Sequence, residues 1–360
     1  MDKETRELDG AILKFIAGSA GADAAPDARF EALAARIFDY QFTRNVNYRR
    51  FCEMEGKSPG SVGSWDAIPA MPAAGFKELV LATFSMSDTV KKFRTSGTTQ
   101  SLKGVHFFDT LKLYEAAIVP SFERHLLADR KLLDYFFLLS PPKDAPDSSL
   151  SHMMGLVNRR FARSRGRFYF KKGQPLYREL LADLKKTRKP VFLLATAFSL
   201  KGFLERLAAE GRTLKLASGS RLMETGGFKG RTRAVSKKAL YAECRKRLGL
   251  KPERCHSEYG MTELSSQFYA TAGGPFRGPA WVRTAVVDPV TGRRAKEGGL
   301  GVLRHFDLAN RGSVMAVQTE DVGRERRGAF ELQGRASESE LRGCSLTYEE
   351  FLVGGSVGRR

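Results

Sequence analysis

The segment from Thr95 to Lys103 concentrates groups that can bind phosphate. It reads TSGTTQSLK, with four hydroxyl side chains and one glycine in its first five residues. Hydroxyls and backbone N–H groups in a turn can surround phosphate oxygens, and a glycine lets the backbone approach closely. The Walker A spacing is absent, so the segment alone predicts a loop, with phosphate binding as the alternative. The binding groups would then be Thr95, Ser96, Gly97, Thr98, Thr99 and the cation of Lys103.

A second group of reactive side chains follows at Tyr259-Gly260-Met261-Thr262-Glu263. The Glu263 carboxylate could bind Mg²⁺, the Thr262 hydroxyl could bind a phosphate, and the Tyr259 ring could stack on a base. The alternative is a turn before a helix, in which Thr262 and Glu263 are capping residues.

Two later side chains suit a ribose. Asp321 lies in the segment TEDVG, at the end of a predicted strand, where it can accept hydrogen bonds from a diol. Arg335 follows Gly334 and can reach ribose or phosphate oxygens. For a lone aspartate a hairpin turn is the simpler interpretation.

The order and spacing of these motifs resemble the adenylate-forming superfamily of acyl-CoA synthetases, peptide-synthetase adenylation domains and luciferases. The resemblance covers most of the chain after residue 90, and YGMTE is its most specific piece. It implies ATP and Mg²⁺ as cofactors, with Gly226 and Gly227 against the adenine. It also implies an α/β fold of the adenylate-forming large-domain type, with parallel sheets flanked by helices and a smaller β-rich subdomain.

The sequence ELRGCSL at residues 340–346 narrows this match. It resembles the acyl-protein synthetase (LuxE) family, which implies that a fatty acid is activated as its adenylate and carried on Cys344. An acyl reductase of the LuxC type would be the protein partner, and His152 and Gly155 would lie near the acyl pocket. Cys344, Lys103 and Glu263 are the implied catalytic residues. A thiolate attacks an acyl-adenylate readily, whereas the simpler interpretation of Cys344 is a small apolar residue in a turn.

The chain departs from the superfamily pattern in three places. Gln100 and Leu102 replace a glycine and a proline of the phosphate loop, and Glu320 replaces the glycine of the ribose motif. The sequence ends soon after Arg335, so we expect the mobile C-terminal domain to be absent. Transfer to coenzyme A by rotation of that domain is then not expected.

The surrounding elements predict how these residues are positioned. Residues 1–90 are typical of helices, 91–270 of an α/β nucleotide- and acyl-binding core, 271–335 of a β-rich subdomain, and 336–360 of a segment that carries the acyl-accepting cysteine. The apolar runs 133–139, 190–195 and 214–217 predict strands. Ser199 and Ser236 are the predicted N-caps of two helices.

The chain of 360 residues carries a net charge of +20, which attracts anions of any kind. The densest basic stretch, residues 159–189, is typical of a solvated face. A nucleic-acid-binding protein is the competing interpretation from a different class, although the sequence contains no recognisable nucleic-acid-binding motif. The sequence is also compatible with an acyl- or aryl-CoA ligase and with a non-catalytic scaffold.

The remaining cysteines and the apolar runs bear on localisation. Cys52, Cys244 and Cys255 form no CxxC pair and are predicted to pack in the core. No run approaches the ~18 apolar residues of a membrane span, and the charged N-terminus is unlike a signal peptide. These features predict a cytoplasmic protein that has no membrane span. Because the sequence contains no nucleic-acid-binding motif, we expect no nucleic-acid partner.

Overall fold

The computed structural model describes residues 1–22, 27–95, 102–129, 133–163, 166–226, 236–289 and 291–336. The fold divides into two compact units. Unit 1 comprises Met1–Ser121, Met261–Ser266 and the described residues from Arg277 onward, and unit 2 comprises Phe122–Gly260 and Gln267–Phe276. Both units are discontinuous in sequence, so their bounds differ from the four consecutive segments predicted above.

The regular elements of the described residues are numbered in chain order. The α-helices are α1 (Lys3–Ser19), α2 (Asp27–Arg44), α3 (Val46–Met54), α4 (Gly75–Glu78), α5 (Lys112–Leu126), α6 (Ser149–Phe161), α7 (Tyr177–Lys186), α8 (Ala197–Ala209) and α9 (Lys237–Leu248). The strands are β1 (Met71–Pro72), β2 (Lys91–Arg94), β3 (Val105–Phe108), β4 (Asp134–Leu138), β5 (Arg167–Phe168), β6 (Phe170–Lys171), β7 (Gln174–Pro175), β8 (Val191–Thr196), β9 (Arg221–Thr225), β10 (Cys255–Tyr259), β11 (Phe268–Thr271), β12 (Val282–Val287), β13 (Leu300–Asp307), β14 (Ala316–Arg326) and β15 (Ala329–Arg335). None of the described helices combines the length and the apolar character that a membrane crossing requires.

Unit 2 is built on a six-stranded sheet with the order β11-β10-β9-β8-β4-β5. Neighbouring strands from β10 to β5 are parallel, and only β11 pairs antiparallel with its neighbour. The central strand β8 reads VFLLAT, and its first five residues are buried. A continuous apolar run of this kind is typical of a parallel strand covered on both faces. The strands predicted at 133–139 and 190–195 are therefore confirmed.

Helices cover both faces of this sheet. On one face, Leu193 packs in a core cluster with leucines of α7 and α8 and with Cys244 of α9. On the other face, the ring of Phe122 stacks on Phe161 of α6 at 5.6 Å and contacts Phe192 of β8 at 5.8 Å. Adjacent residues of β8 thus point into opposite layers, as the alternation of side chains along a strand requires.

Two predictions about the elements of unit 2 are wrong. The N-cap of α8 is Thr196, whose hydroxyl accepts a hydrogen bond from the Ser199 N–H at 3.1 Å, because β8 runs directly into the helix. Residues 214–217 do not form a strand. Instead, the N–H groups of Leu214 and Leu216 donate to Arg247 and Leu248 carbonyls at the end of α9, which otherwise lack helical partners. The predicted N-cap of α9, Ser236, is confirmed.

Unit 1 contains the β-rich part of the chain. Strands β1, β14, β13 and β12 are neighbours in that order, and β15 pairs with β14. Every pair except β1–β14 is antiparallel. Strands β12 to β15 all lie within residues 271–335, the part of the chain for which the sequence predicts a β-rich subdomain.

A buried ion-pair network ties α1 to the loop between β13 and β14. The Arg311 guanidinium is completely buried and lies 2.8 Å from the Asp9 carboxylate and 2.9 Å from that of Asp109. Two carboxylates facing one guanidinium hold the pKa of Arg311 above its usual range, although burial acts in the opposite direction.

Candidate functional site

The hydroxyl-rich segment connects β2 to β3, and its two ends are bonded to each other. The Thr95 N–H donates to the Gly104 carbonyl at 2.9 Å, and the Gly104 N–H donates to the Thr95 hydroxyl at 2.9 Å. A Cβ at residue 104 would come within 3.0 Å of the Thr95 methyl group, so glycine allows this closure. Lys103 is exposed beside it. Ser96, Gly97, Thr98 and Thr99 lie outside the described residues.

Thr262 of the second motif is bonded to the same β2–β3 hairpin. The His106 Nδ1 lies 2.8 Å from the Thr262 carbonyl oxygen, and the Thr262 hydroxyl donates to the Arg94 carbonyl at 3.4 Å. Because a carbonyl can only accept, Nδ1 must carry the hydrogen. Within unit 1, Thr262 therefore contacts the β2–β3 hairpin, and Thr95 and Gly104 join the two ends of the segment that links these strands.

His106 was not identified from the sequence, and its ring is hydrogen-bonded to the backbone of Thr262. Burial lowers the pKa of His106 to about 4, so the ring is neutral at pH 7. The ring lies against Phe108, with centroids 4.1 Å apart, and meets the edge of Phe76 at 5.6 Å. The sequence signal available there is a single histidine in the otherwise apolar run of residues 105–108.

The turn that contains Glu263 is anchored on the loop after β13. Glu263 is buried, with 6% of its surface exposed, and its backbone carbonyl accepts from the Asn310 amide at 2.9 Å. The Ser265 N–H donates to the Asp307 carboxylate, also at 2.9 Å. No helix begins in residues 264–275, all of which are described, so the alternative of a helix cap at Thr262 and Glu263 is wrong.

The predicted ribose residues lie opposite each other on neighbouring strands. Asp321 of β14 is in register with Arg335 of β15, and the Arg335 Nε lies 3.6 Å from the Asp321 carboxylate. A second contact joins Arg335 to Glu320 at 3.4 Å. Since the Arg335 side chain is 67% exposed, these ion pairs contribute little to stability. Asp321 lies within β14 rather than at the end of a strand, which corrects the prediction.

The other predicted nucleotide-binding residues belong to unit 2, at the ends of β9 and β10. Gly226 follows β9 with φ of 77°, a left-handed conformation that favours glycine. Gly227 lies outside the described residues. Tyr259 ends β10 and packs against Phe268 and Phe276, with centroid distances of 5.8 and 5.7 Å. Because β9 and β10 are parallel neighbours, Gly226 and Gly260 follow strands that end at the same edge of the sheet.

A buried carboxylate precedes each of these glycine segments. On β9, Glu224 accepts hydrogen bonds from Ser257 at 2.6 Å and Tyr241 at 3.0 Å, and it pairs with Lys237. On β10, Glu258 accepts a hydrogen bond from the Thr225 hydroxyl.

The two contacts between strands are directly opposed pairs, because Glu224 is in register with Ser257 and Thr225 with Glu258. They tie β9 to β10 on both faces of the sheet immediately before the predicted nucleotide-binding residues. Sequence reasoning missed this group, since the motif match begins at Tyr259.

The surroundings of Glu258 raise the pKa of its carboxyl, and the carboxyl in turn fills the space beside Gly260. Burial, strengthened by the charge of Glu224, raises the pKa of Glu258 to about 7, although the Thr225 hydroxyl and the Lys237 charge act in the opposite direction. A Cβ at Gly260 would overlap the Glu258 carboxylate. A side chain at residue 260 would therefore require the Glu258 carboxylate to move.

The predicted acyl-pocket residues lie on α6 in unit 2. His152 is half-buried, and a Cβ at Gly155 would come within 2.6 Å of the Pro142 ring. Gly155 thus allows the segment before α6 to pack closely on the helix. Their role towards an acyl group stays a prediction.

Three cysteines are buried, which confirms their interpretation as core residues. Burial raises the pKa of Cys52 to about 12, and a hydrogen bond with Cys255 together with burial raises that of Cys244. Such thiols stay protonated and unreactive at neutral pH. Cys344 lies outside the described residues, as does the sequence around it.

The described residues contain no cluster of three or more His, Cys, Asp or Glu side chains placed to hold a metal ion. A Mg²⁺ ion is commonly bound by one or two carboxylates together with substrate phosphates and water. The buried carboxylate of Glu263 fits the first part of such a donor set.

Two structures of 2-hydroxyisobutyryl-CoA ligase are similar to this chain. One, in the postadenylation state with 2-HIB-AMP, has a TM-score of 0.65 and 15% identity, over 86% of this chain and 67% of the ligase. The other, an open conformation with 2-HIB-AMP and CoA, has a TM-score of 0.64 and 14% identity, over 88% and 72% of the two chains. No family model matches the chain, and no curated protein matches it. The likeness shows the fold: the chain has the α/β fold of adenylate-forming enzymes that its sequence predicts.

Proposed function

We propose that this protein uses ATP to activate a carboxylic acid as its acyl-adenylate. The observation that carries the proposal is the bonding of Thr262 to the β2–β3 hairpin through His106 and Arg94. The motif YGMTE thus contacts, through Thr262, the two strands that the hydroxyl-rich segment connects, although the two motifs are far apart in sequence. The fold shared with a ligase crystallised with an acyl-adenylate supports the same chemistry.

In the proposed first half-reaction, a carboxylate oxygen attacks the α-phosphate of ATP and pyrophosphate leaves. The hydroxyls and N–H groups of residues 95–99, together with Lys103 and Thr262, would hold the phosphates and balance the charge that develops on them. Glu263 would hold Mg²⁺, which stabilises negative charge on phosphate oxygens when it is bound. Gly226 and Tyr259 would contact the adenine, and Asp321 and Arg335 the ribose.

In the proposed second half-reaction, the Cys344 thiolate attacks the acyl carbonyl, a thioester forms and AMP leaves. The resemblance of ELRGCSL to acyl-protein synthetases supports this step, and it favours a long-chain fatty acid as substrate. An acyl reductase would then accept the acyl group as the partner protein.

Intact mass after incubation with Mg·ATP and a panel of fatty acids tests both half-reactions together. We expect an adduct of the acyl mass that hydroxylamine removes, as a thioester requires, and ATP–pyrophosphate exchange that depends on the acid. Cys344→Ala should keep the exchange and lose the adduct, whereas Cys52→Ala, a buried cysteine, should keep both. Acylation that persists in Cys344→Ala removes this cysteine from the mechanism, and failure of exchange with every acid removes the adenylation itself.

An acyl- or aryl-CoA ligase is the second candidate, because the similar ligase was crystallised with CoA. Product analysis separates the two. Acyl-CoA formed only when CoA is present, with no protein adduct, would favour the ligase.

A further inference from the structure

We propose that Asp307 is a positioning residue of the adenylation site, because its carboxylate fixes the turn that carries Thr262 and Glu263. The inference rests on the proposed function, in which these two side chains meet the phosphates and Mg²⁺. Asp307 is the last residue of β13 and is completely buried. It lies in unit 1, as does the whole of Met261–Ser266. It belongs to none of the motifs that resemble adenylate-forming enzymes.

The Asp307 carboxylate accepts hydrogen bonds on both of its oxygens. Its Oδ2 accepts from the Ser265 N–H at 2.9 Å. Its Oδ1 accepts from the Ser266 hydroxyl at 2.8 Å and from the Ala309 N–H at 3.0 Å. The Ser266 hydroxyl also accepts from the Trp281 indole N–H at 3.1 Å, which fixes its direction. Two consecutive residues of the turn are therefore bonded to one side chain.

The Asn310 amide bonds to the part of the turn that Asp307 does not reach. Its N–H group donates to the Glu263 carbonyl at 2.9 Å, and its carbonyl oxygen accepts from the Ser265 hydroxyl, also at 2.9 Å. The backbone around Glu263 is thus held at two points. Asn310 bonds to the carbonyl of Glu263 itself, and Asp307 bonds to the N–H two residues later.

The loop from Asp307 to Arg311 is also bonded to the β2–β3 hairpin. Both terminal nitrogens of Arg311 donate to the Asp109 carboxylate, at 2.9 and 3.1 Å, and Asp109 directly follows β3. Two parallel hydrogen bonds of this kind fix orientation as well as distance. One loop therefore contacts both the hairpin and the turn of Glu263, and Asp307 is its bond to the turn.

A carboxylate at residue 307 is an expensive choice for stability alone. All the donors that face it are neutral, and burying a carboxylate without a cation costs free energy that a neutral side chain avoids. Side chains that lower stability in this way are expected at functional sites. The particular property of a carboxylate is that both of its oxygens accept hydrogen bonds.

Asp307→Asn tests this property without a change of size. An asparagine amide has one oxygen and one NH₂ group. In either orientation the NH₂ group faces a backbone N–H, and either the Ser265 N–H or the Ser266 hydroxyl loses its acceptor. We therefore expect faster deuterium uptake in a peptide that spans residues 261–266, measured by mass spectrometry with no ligand present.

ATP–pyrophosphate exchange measures the consequence for Glu263. The assay is run at pH 8, because burial raises the pKa of Asp307 to about 6. Asp307→Asn should raise the Mg²⁺ concentration for half-maximal exchange roughly tenfold, as loss of one hydrogen bond to a charged group suggests. Glu263→Gln should raise it too. The double variant should shift it no further than Glu263→Gln alone, because Asp307 acts through Glu263.

Tyr48→Phe is the matched control. Tyr48 is completely buried in the same unit, and its hydroxyl donates to the Pro69 carbonyl at 2.7 Å. The change removes one buried hydrogen bond with almost no change of shape. It should lower the melting temperature and leave both the deuterium uptake of residues 261–266 and the Mg²⁺ dependence unchanged.

A milder variant keeps the test valid if Asp307→Asn does not fold. Ser266→Ala removes one donor to Asp307 and should shift deuterium uptake and Mg²⁺ dependence in the same direction by a smaller factor.

The outcomes separate this inference from the proposed function. A wild-type protein that exchanges with no acid removes the adenylation, and the inference with it. Wild-type exchange with an Asp307→Asn variant that matches Tyr48→Phe in Mg²⁺ dependence removes the inference alone. Unchanged deuterium uptake in residues 261–266 does the same, as does a double variant whose shift is the product of the two single shifts.

Discussion

Replacement of Glu258 by glutamine should stabilise the protein at pH 8 and have much less effect at pH 5. The Glu258 carboxyl is buried, with a pKa of about 7 in the folded protein against 4.5 as the ordinary value. Between these pH values the folded protein holds a proton that the unfolded chain releases, so stability falls as pH rises. Glutamine has no charge at any pH, and its carbonyl can still accept the hydrogen bond of Thr225.

The size of the effect follows from the difference between the two pKa values. Each pKa unit corresponds to about 1.4 kcal/mol, so ionising Glu258 in the folded state costs about 3 kcal/mol once the pH exceeds 7. The Glu258→Gln variant avoids this cost. For units of this size, 1 kcal/mol shifts the melting temperature by roughly 3 °C, so we expect a gain of several degrees at pH 8.

The assay is the difference in melting temperature between the variant and the wild type at pH 5, 6, 7 and 8. Glu253→Gln serves as the control, because Glu253 is an exposed carboxylate of the same unit, and its difference should stay flat with pH. A Glu258→Gln protein that is less stable than the wild type at pH 8 would refute the reasoning. So would a difference that does not change between pH 5 and pH 8.

Two further substitutions test unit 1. His106→Leu removes the donor to the Thr262 carbonyl and should raise the ATP concentration for half-maximal exchange roughly tenfold. His106→Asn keeps an amide donor and should recover part of the lost ATP affinity. Equal ATP affinities of the two variants would contradict the positioning role. Arg311→Met leaves the buried Asp9 and Asp109 carboxylates without their cation and should cost about 3–5 kcal/mol in unfolding free energy. Asp9→Asn in the same protein should restore part of that loss, and a single Arg311→Met variant that melts like the wild type would show that the network contributes nothing.

The regular elements of unit 2 could be predicted where local sequence and tertiary burial agree. The run at 190–195 is apolar at every position that β8 buries, and Ser236 precedes a helix whose buried side chains recur with helical spacing. Residues 214–217 misled the prediction because their alternating leucines also suit a strand. The backbone of these residues bonds to the end of α9 instead of to a neighbouring strand. A local sequence pattern does not reveal which element a segment will bond to.

The contacts of the candidate site depend on pairings that no local pattern encodes. His106 and Thr262 are 156 residues apart, and only the folding of the β2–β3 hairpin against the turn at 261–266 brings them into contact. The opposition of Thr225 and Glu258 likewise requires the parallel register of β9 and β10. Motif matching could name candidate ligand-binding residues such as Thr262, but it could not name His106, Thr225 or Glu258, which contact the candidate segments or precede them.

Glu224 and Glu258 show why burial alone does not predict what a carboxylate contributes. Each precedes a predicted nucleotide-binding segment at the same sheet edge, and each is almost fully buried. One oxygen of Glu224 receives a lysine, a tyrosine and a serine, so removing its charge would leave the cation of Lys237 unmatched. Glu258 receives a single neutral hydroxyl, so removing its charge relieves a cost. At pH 8 the same Glu→Gln change should therefore act in opposite directions on two adjacent strands. The groups around each carboxylate, rather than its depth in the protein, decide whether the loss of charge stabilises or destabilises the fold.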